Sequence, residues 1–525
     1  MFNPKWAAYL GAFLLSLAAF AMPQKADAFC GTYVSGGEAD LFNNATQAVM
    51  MRHEKTTVLS MQNNYEGPPK DFAMIVPTPV VLEKKNVKTL EDEIFGKIDR
   101  LTAPRLVEYW EKDPCEKNNH YGPPRAAAGG TADSANKNES GTVKVEAEFA
   151  VGEYDVVVLS SNKSSALESW LHTNGYNIPK GAGPFLNPYI QKGAKFFVAK
   201  VNIDKVTFND QGQAVLSPLR FHYESDEFKL PIRLGLINSN GQQDLIVNIL
   251  AQNQRYRAAN YPNATIPTNI EVVNDVKNKF PQFYRALFKE TIRQNKNNGQ
   301  NPIVTEYSWN AASCDPCPGP ALTGSDIASL GGDVINDMAE SGGVRRPGYR
   351  SGWVITRLHA RYGADEIGKD IVFEKAPPIV GGRERYDEEG NLERGATEGR
   401  INNFQGRYII RHRWDKAVLC SDPEYGRWGG RTGENHSGPT TQTAKGPNNG
   451  GAGLDDVESD EEPELSKNVR QDIPELGVKA ESKEEGPGAE RACSQTPFGD
   501  GSTLPLGLLA LFGGLGLLRV RSGRR

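Results

Sequence analysis

The chain contains 525 residues, of which 38% are hydrophobic and 24% are charged, a composition typical of a globular protein with enough material for a large core. Its net charge is −5, from 60 basic and 65 acidic residues, which excludes a strongly basic nucleic-acid-binding protein. Long apolar runs occur only at the two ends of the sequence, which excludes a membrane protein with many spanning segments.

Residues 1–28 have the pattern of a signal peptide. Lys5 supplies the positive charge, and a short apolar stretch follows from Trp6 to Phe20. Ala26-Asp27-Ala28 then offers the small-x-small pattern that signal peptidase reads, and cleavage there would leave Phe29 as the mature N-terminus. The alternative is an uncleaved anchor helix, but the apolar stretch is short for a membrane span. The sequence therefore predicts export.

Residues 29–431 mix strand and helix signals, and we predict an α+β body with an antiparallel-rich sheet. Apolar and β-branched runs predict strands at 47–51, 57–61, 72–76 and 154–159, and near 195–203, 213–223, 229–237 and 244–251. Helical spacing predicts helices over 90–101 with Thr89 as N-cap, over 165–171 with a Ser165-x-x-Glu168 capping box and Gly175 as terminator, and over 280–292. The polar segment 122–141 is predicted to be an exposed loop.

Cysteine is the residue type most informative about chemistry in this body. The exported chain would retain six cysteines: Cys30, Cys115, Cys314, Cys317, Cys420 and Cys493. An oxidising compartment favours disulfides, and six thiols permit about 15 pairings. If Cys493 belongs to a C-terminal anchor, the remaining cysteines are odd in number and one thiol stays free.

The Cys314-x-x-Cys317 pair is the sharpest candidate for a reactive site. A thiol oxidoreductase places such a pair at a helix N-terminus, where the dipole stabilises the thiolate. Pro318 and Pro320 follow directly and indicate a turn, which favours a structural disulfide over redox catalysis. A zinc site would need further ligands, and the sequence has no second paired motif, so we predict no metal.

No other motif assembles a catalytic set. The seven histidines are scattered without a His-Glu-x-x-His pattern, and there is no Gly-x-Ser-x-Gly elbow or phosphate-binding loop. We interpret each lone histidine as a surface or satisfied interior residue. Glu108, Glu111 and Asp113 are interpreted as an exposed helix end, and the basic and aromatic residues at 255–257 and 407–414 as half-buried strand positions. We therefore predict no catalytic residues and no cofactor.

Two further segments follow the body. Residues 432–492 are poor in aromatics, and 451–490 contain 13 acidic and 4 basic residues, a net of −9, which predicts a disordered acidic linker. Residues 493–525 begin at Cys493, continue through an apolar segment over 502–518 and end in a basic cluster formed by Arg519, Arg521, Arg524 and Arg525. A helix of that length reaches the lower limit for a span, and the arginines would stay cytoplasmic.

The combination of Cys493, a glycine-rich apolar helix and terminal arginines resembles the MYXO-CTERM sorting tail of myxobacterial envelope proteins. In that family the cysteine beside the helix is implicated in processing and surface anchoring. The resemblance implies a membrane attachment and a C-terminal sorting protease as partner.

Several motifs of the body occur in an order that resembles the exported bacterial family called domain of unknown function 2330. They are the segments 29–34, 72–77, 151–155, 170–176, 230–235, 305–307 and 314–317. The resemblance covers about residues 29–330. It implies an envelope protein and brings no established activity.

Our leading prediction is a cell-surface protein with a non-enzymatic binding or structural role, whose partner is an envelope protein or a glycan. The rival is an envelope enzyme, either a thiol oxidoreductase using Cys314 and Cys317 or a hydrolase whose residues meet only in the fold. Neither reading involves nucleic acid.

Overall fold

The strands of this protein form where β-branched and aromatic residues are consecutive, and the helices where apolar residues recur every three or four positions. The computed structural model describes residues 32–35, 45–62, 72–116, 144–176, 178, 181–208, 214–238, 243–335, 352–363, 368–386, 392–429, 440–443 and 464–481. All of these belong to one compact unit.

The strands are numbered in chain order. The first thirteen are β1 (Thr32–Ser35), β2 (Ala45–His53), β3 (Thr56–Met61), β4 (Phe72–Thr78), β5 (Val87–Thr89), β6 (Arg105–Glu111), β7 (Lys144–Val151), β8 (Tyr154–Ser160), β9 (Lys195–Val201), β10 (Thr207–Phe208), β11 (Ala214–Val215), β12 (Leu219–Glu224) and β13 (Lys229–Leu230). The others are β14 (Gln243–Gln252), β15 (Arg255–Ala258), β16 (Asn263–Thr265), β17 (Ile270–Glu271), β18 (Ile303–Asn310), β19 (Trp353–Tyr362), β20 (Ile371–Ala376), β21 (Ile379–Gly381), β22 (Thr397–Glu398), β23 (Asn403–Gln405), β24 (Arg407–His412), β25 (Trp428–Gly429) and β26 (Thr440–Thr443).

Helices connect and cover these strands. The α-helices are α1 (Glu93–Thr102), α2 (Ser164–Thr173), α3 (Gly183–Gln191), α4 (Phe280–Asn295), α5 (Gly324–Ile327) and α6 (Leu465–Asn468). Short 3-10 helices span Lys84–Asn86, Ile203–Lys205, Arg233–Asn238, Asn274–Asn278 and Pro474–Leu476, and a π-helical turn spans Ala328–Gly332. In the described part of the chain, no helix combines the length and the apolar character that a membrane crossing requires.

The largest sheet has eleven strands in the order β22-β21-β23-β18-β19-β14-β2-β3-β12-β5, with β16 beside β18. Strand β14 lies at its centre, parallel to β2 and antiparallel to β19. Its residues are buried from Gln243 to Ala251 because other elements cover both faces of the sheet, which explains the continuous apolar run in the sequence. Helix α1 packs on one of these faces through Phe95 and Ile98.

A second sheet, in the order β1-β4-β9-β8-β7, packs against the first. Neighbouring side chains of β9 point to opposite faces, as the pleat requires. Phe197 packs with Leu59 and Phe221 of the central sheet, and Phe196 packs with Leu167 and Leu186 of helices α2 and α3. The second sheet is therefore the middle layer between the central sheet and two helices.

A third sheet, β17-β24-β6-β25 with β26 also on β6, is joined to the central sheet through helix α4. Phe283 and Leu287 of α4 are fully buried and pack with Val304 of β18 and Tyr408 of β24. Most pairings in the molecule are antiparallel, and helices and sheets are mixed rather than alternating. The predicted α+β fold with an antiparallel-rich sheet is confirmed.

The C-terminal part of the body differs from the sequence-based prediction. Strand β26 pairs with β6, and residues 464–481 pack on α4, with Val469, Ile473 and Leu476 buried in the same cluster as Tyr408. The predicted disordered linker over 432–492 therefore does not hold for residues 440–443 and 464–481. Their apolar residues are few and scattered, and the surrounding acids dominate the composition, so no periodic signal marks them.

Three local predictions are wrong. Thr89 ends strand β5 rather than capping a helix, and α1 begins after Asp92. Residues 229–237 form a two-residue strand and a 3-10 helix, because Pro231 interrupts the ladder. Helix α2 begins after Lys163 without a side-chain cap, although Gly175 does end the segment with a positive φ of 80°. The predicted loop 122–141 and the C-terminal apolar helix 502–518 lie outside the described residues.

Candidate functional site

Four of the six cysteines form two disulfides. Cys115, just after β6, bonds Cys420, and the Cα atoms are 5.5 Å apart across a sequence separation of 305 residues. Cys314 bonds Cys317 in the loop that follows β18, with Cα atoms 4.9 Å apart. The predicted site residues Cys30, Ala28, Phe29, Cys493, Arg519, Arg521, Arg524 and Arg525 lie outside the described residues.

The Cys314–Cys317 loop does not lie at a helix N-terminus, the position that activates a redox thiol in thioredoxin-like sites. Cys314 is partly buried against the apolar cluster that contains Phe95 and Ile98 of α1, and Cys317 is exposed. The next helix, α5, begins only at Gly324. The prolines therefore mark a turn, as their spacing indicates. Without a helix dipole at the sulfurs, nothing in this loop stabilises a thiolate in the way thioredoxin-like sites do.

A cluster of ionisable groups is buried between β14, β18, β19 and helices α1 and α4. Glu306 accepts hydrogen bonds from the Tyr284 hydroxyl, from Arg357 Nε at 2.6 Å and from His359 Nδ1 at 2.6 Å. Asp244 bonds His359 Nε2 at 3.1 Å and Arg361 Nη2 at 2.9 Å. We call these residues, together with Asp99, the closed ionic cluster.

The charges of this cluster balance. Burial would raise the pKa of Glu306, but His359 and Arg357 outweigh it and lower the pKa to about 2. Burial would lower the pKa of His359, but Glu306 and Asp244 outweigh it and raise the pKa, so both ring nitrogens donate. Three carboxylates (Asp99, Asp244, Glu306) thus face three cations (Arg357, His359, Arg361).

This cluster is sealed from solvent. Each of its charged members is at most 9% exposed, and Phe288 stacks on the His359 ring with centroids 3.9 Å apart. A substrate has no open face to approach, so we interpret the cluster as a structural ion network. His359 fits the interpretation of a satisfied interior histidine. The sequence does contain a signal for the cluster, Arg357-x-His359-x-Arg361 on an otherwise apolar strand, whose alternation places three cations on one face.

The acidic residues 108–113 are not an exposed helix end. Glu108 and Glu111 lie on β6 and are 1% and 6% exposed. Glu108 accepts a hydrogen bond from His412 Nε2 at 2.9 Å and pairs with Lys277, and Glu111 accepts from the backbone amides of Trp414 and Gly426. Residues 255–257 lie on strand β15 and residues 407–412 on strand β24, as predicted, whereas residues 413 and 414 follow the end of β24.

An accessible arrangement of charged groups is a groove of about 650 Å³ beside the start of α1, which we call the charged groove. Its lining consists of Lys88, Thr89, Leu90, Glu91, Glu93, Ile94, Lys97, Arg100, Arg220, Ser325, Asp326, Ala328, Ser329 and Asp333. Eight of these are charged, four of each sign, and none of the described lining residues is aromatic.

The floor of the charged groove is fixed by ion pairs, and its rim is free to bind. Arg220, 2% exposed, forms a bidentate pair with Asp333 at 2.8 and 2.9 Å, and Lys97 bonds Asp326. On the rim, Arg100 and Glu93 project from α1 as exposed side chains. The exposed side chains of the rim can therefore bind a ligand with charges of both signs while the ion pairs of the floor stay intact.

Within the described ranges, no group of three or more histidine, cysteine, aspartate or glutamate side chains is arranged to hold a metal ion. A family model described as an uncharacterized protein conserved in bacteria, DUF2330, matches residues 24–374. No curated protein and no solved structure matches the chain.

Proposed function

The chain belongs to the bacterial family DUF2330, whose function is uncharacterized, and on that premise we propose that it is an exported cell-envelope protein that binds a charged partner without catalysing a reaction. The signal-peptide pattern of residues 1–28 supports export. The two disulfides support it as well, because such bonds persist in oxidising compartments. The tail from Cys493 onward would attach the body to a membrane after signal peptidase and a sorting protease have acted.

The observation that carries the binding role is the charged groove. A glycan site normally offers aromatic faces for sugar rings, and the described lining has none. Exposed charges of both signs, by contrast, match a peptide segment that carries both acidic and basic side chains. The favoured partner is therefore another envelope protein rather than a glycan.

The nature of the groove also predicts how binding responds to salt. The rim charges are solvent-exposed, and their attraction for a partner falls as ionic strength rises and the Debye length shortens from about 10 Å at 0.1 M to about 3 Å at 1 M. Rim charges act mainly on the association rate, so raising the salt concentration should slow association more than it speeds dissociation.

Site-specific photo-crosslinking in intact cells tests the proposal. A photoreactive residue replaces Ser329, an exposed and uncharged lining residue of the groove, and the matched control places it at Lys375, an exposed strand residue outside the groove. We expect one discrete crosslinked envelope protein from position 329, none from position 375, and loss of the product when Glu93 is changed to Lys. Equal products at both positions, or a product from position 329 that survives Glu93→Lys and 1 M salt, contradict the role of the groove.

A thiol oxidoreductase is the second candidate, favoured by the exposure of Cys317. The absence of a helix start at this described loop weighs against it. Thiol trapping at defined redox potentials separates the two. A Cys314–Cys317 pair that stays oxidised down to below about −300 mV behaves as a structural disulfide, and one that exchanges near −200 mV supports the enzyme.

A further inference from the structure

Four buried polar side chains lie next to one another beneath the Cys314–Cys317 loop. Arg105 of β6 faces Arg407 of β24 in a parallel pairing, and Gln405 of β23 faces Tyr307 of β18. The Arg105 guanidinium carbon lies 5.5 Å from the centre of the Tyr307 ring, which joins the two pairs. Arg105 and Tyr307 are 0% exposed, and Arg407 and Gln405 are 1% exposed.

Neither guanidinium has a carboxylate partner among the described residues. Arg105 donates from Nη1 to the Pro316 carbonyl at 2.9 Å and from Nη2 to the Leu101 carbonyl at 2.6 Å. Arg407 donates from Nε to Asn269 Oδ1 at 2.8 Å and from Nη1 to the Tyr109 hydroxyl at 3.0 Å. All of these acceptors are neutral, so two positive charges are buried side by side.

The other buried arginines of the described residues have different surroundings. Arg357 and Arg361 pair with the carboxylates of the closed ionic cluster, and Arg220 pairs with Asp333. Arg52 and Arg255 donate to neutral acceptors, but neither has another buried arginine as neighbour. Burial lowers the pKa of Arg105 to about 10, and the charges of Arg407 and Arg357 add to this decrease. Tyr307 and the carboxylate of Asp315, which forms no ion pair with Arg105, oppose it only in part.

Each of the four residues also leaves one buried polar atom without a partner. These atoms are Arg105 Nε, Arg407 Nη2, the Tyr307 hydroxyl and Gln405 Oε1. Buried polar groups in native proteins are almost always paired, so a cluster of four unpaired atoms indicates a bound ion or water. The two extra positive charges distinguish between them, because only an anion also offsets the charge.

We propose that Arg105, Arg407, Tyr307 and Gln405 form a binding site for inorganic phosphate. The two guanidiniums and the tyrosine hydroxyl provide three donors, which suits an oxyanion. Gln405 provides an acceptor, since its Nε2 is fixed on the carbonyls of Asp315 and Gly382 at 2.5 and 2.9 Å. An acceptor in this position requires a ligand that carries a hydroxyl, which hydrogen phosphate has and sulfate lacks.

The Cys314–Cys317 loop provides the entry path. Its carbonyls at Asp315 and Pro316 accept from Gln405 and Arg105, while Asp315 and Cys317 are exposed to solvent. An outward movement of this loop would expose the four unpaired atoms, while Gln405 Nε2 keeps its hydrogen bond to the Gly382 carbonyl. The site shares no residue with the charged groove, so the inference stands independently of the proposed partner binding.

Isothermal titration of the mature, disulfide-bonded chain tests the proposal with three probes at constant ionic strength and pH 7.5. Inorganic phosphate should bind with a stoichiometry near one. Sulfate should bind about tenfold or more weakly, because it leaves the buried Gln405 acceptor unpaired. A phosphate monoester such as methyl phosphate is mostly a dianion without a hydroxyl at this pH, since its second pKa is about 6, and should also bind weakly. Equal affinity for phosphate and sulfate overturns the proposal, as does no phosphate binding at millimolar concentration.

Two variants locate the site. Arg407→Met should abolish phosphate binding, while the matched control Arg255→Met, another buried strand arginine with neutral partners, should retain it. If Arg407→Met does not fold, Tyr307→Phe decides the matter, because it removes only a hydroxyl without a partner. We expect several-fold weaker binding in Tyr307→Phe. Unchanged affinity in Tyr307→Phe, or retained binding in Arg407→Met, overturns the assignment.

Discussion

Replacing Glu306 with glutamine should strongly destabilise the protein, because it removes a buried charge that three donors share. The carboxylate is 0% exposed and accepts from Tyr284, Arg357 and His359 at once. The amide in its place would keep the shape but remove the charge, leaving one surplus positive charge in the closed ionic cluster. Removing one partner of a buried ion pair costs about 3–5 kcal/mol, and with three donors affected we expect the upper half of that range.

Urea unfolding measures this loss, with Glu374→Gln as the matched control. Glu374 also lies on a strand and also pairs with an arginine, Arg257 at 2.7 Å, but both side chains are 44% exposed. A surface pair contributes at most about 1 kcal/mol. With a urea slope of about 3 kcal/mol per M, Glu306→Gln should lower the unfolding midpoint by about 1.3–1.7 M and the control by about 0.3 M or less. Equal shifts in the two variants would refute our account of the cluster.

Three further outcomes follow from the described contacts. The pKa of Glu306 is about 2 in the folded state against an ordinary 4.5, so its ionised carboxylate contributes fully to the free energy of unfolding above about pH 4.5. That contribution is lost as the pH falls toward 2. The urea midpoint should therefore fall more steeply over this window in the wild type than in Glu306→Gln. Replacing Cys115 and Cys420 with Ser should lower the free energy of unfolding by about 6 kcal/mol in the chain-entropy model, against about 2 kcal/mol for the short loop of the other disulfide, measured by denaturation of each double variant. Ile473→Ala should destabilise the body by about 2–4 kcal/mol in the same assay, and a change near zero would contradict the docking of residues 464–481.

The sequence predicts best those elements whose pattern is determined locally. Helix α4 was predictable because Phe283, Leu287 and their neighbours recur with helical period, and β8 because its β-branched residues are consecutive. Strand β6 was not, since Glu108 and Glu111 look like surface residues until the fold brings His412, Lys277 and two backbone amides to them.

The candidate sites depend even more on long-range contacts. Glu306 and Asp99 meet through Arg357, and Arg105 meets Arg407 across a parallel pairing. The alternation of Arg357, His359 and Arg361 marks the cationic side of the ion network, but no spacing in the sequence identifies the partners, because each partner lies on a different element. Cys314 and Cys317 were identifiable as a pair because they are only three residues apart. The Cys115–Cys420 pairing, one of many that the cysteine count allowed, required the fold.

The Cys115–Cys420 bond also changes the covalent topology of the chain. It closes a ring over a sequence separation of 305 residues, which contains helices α2 to α5 and most of the central sheet. A single proteolytic cut anywhere inside this ring opens it but releases no fragment, because both pieces remain joined through the sulfurs. Proteases would make such cuts at the envelope location that we propose. The cut chain would migrate intact on a non-reducing gel and separate into two pieces only after reduction.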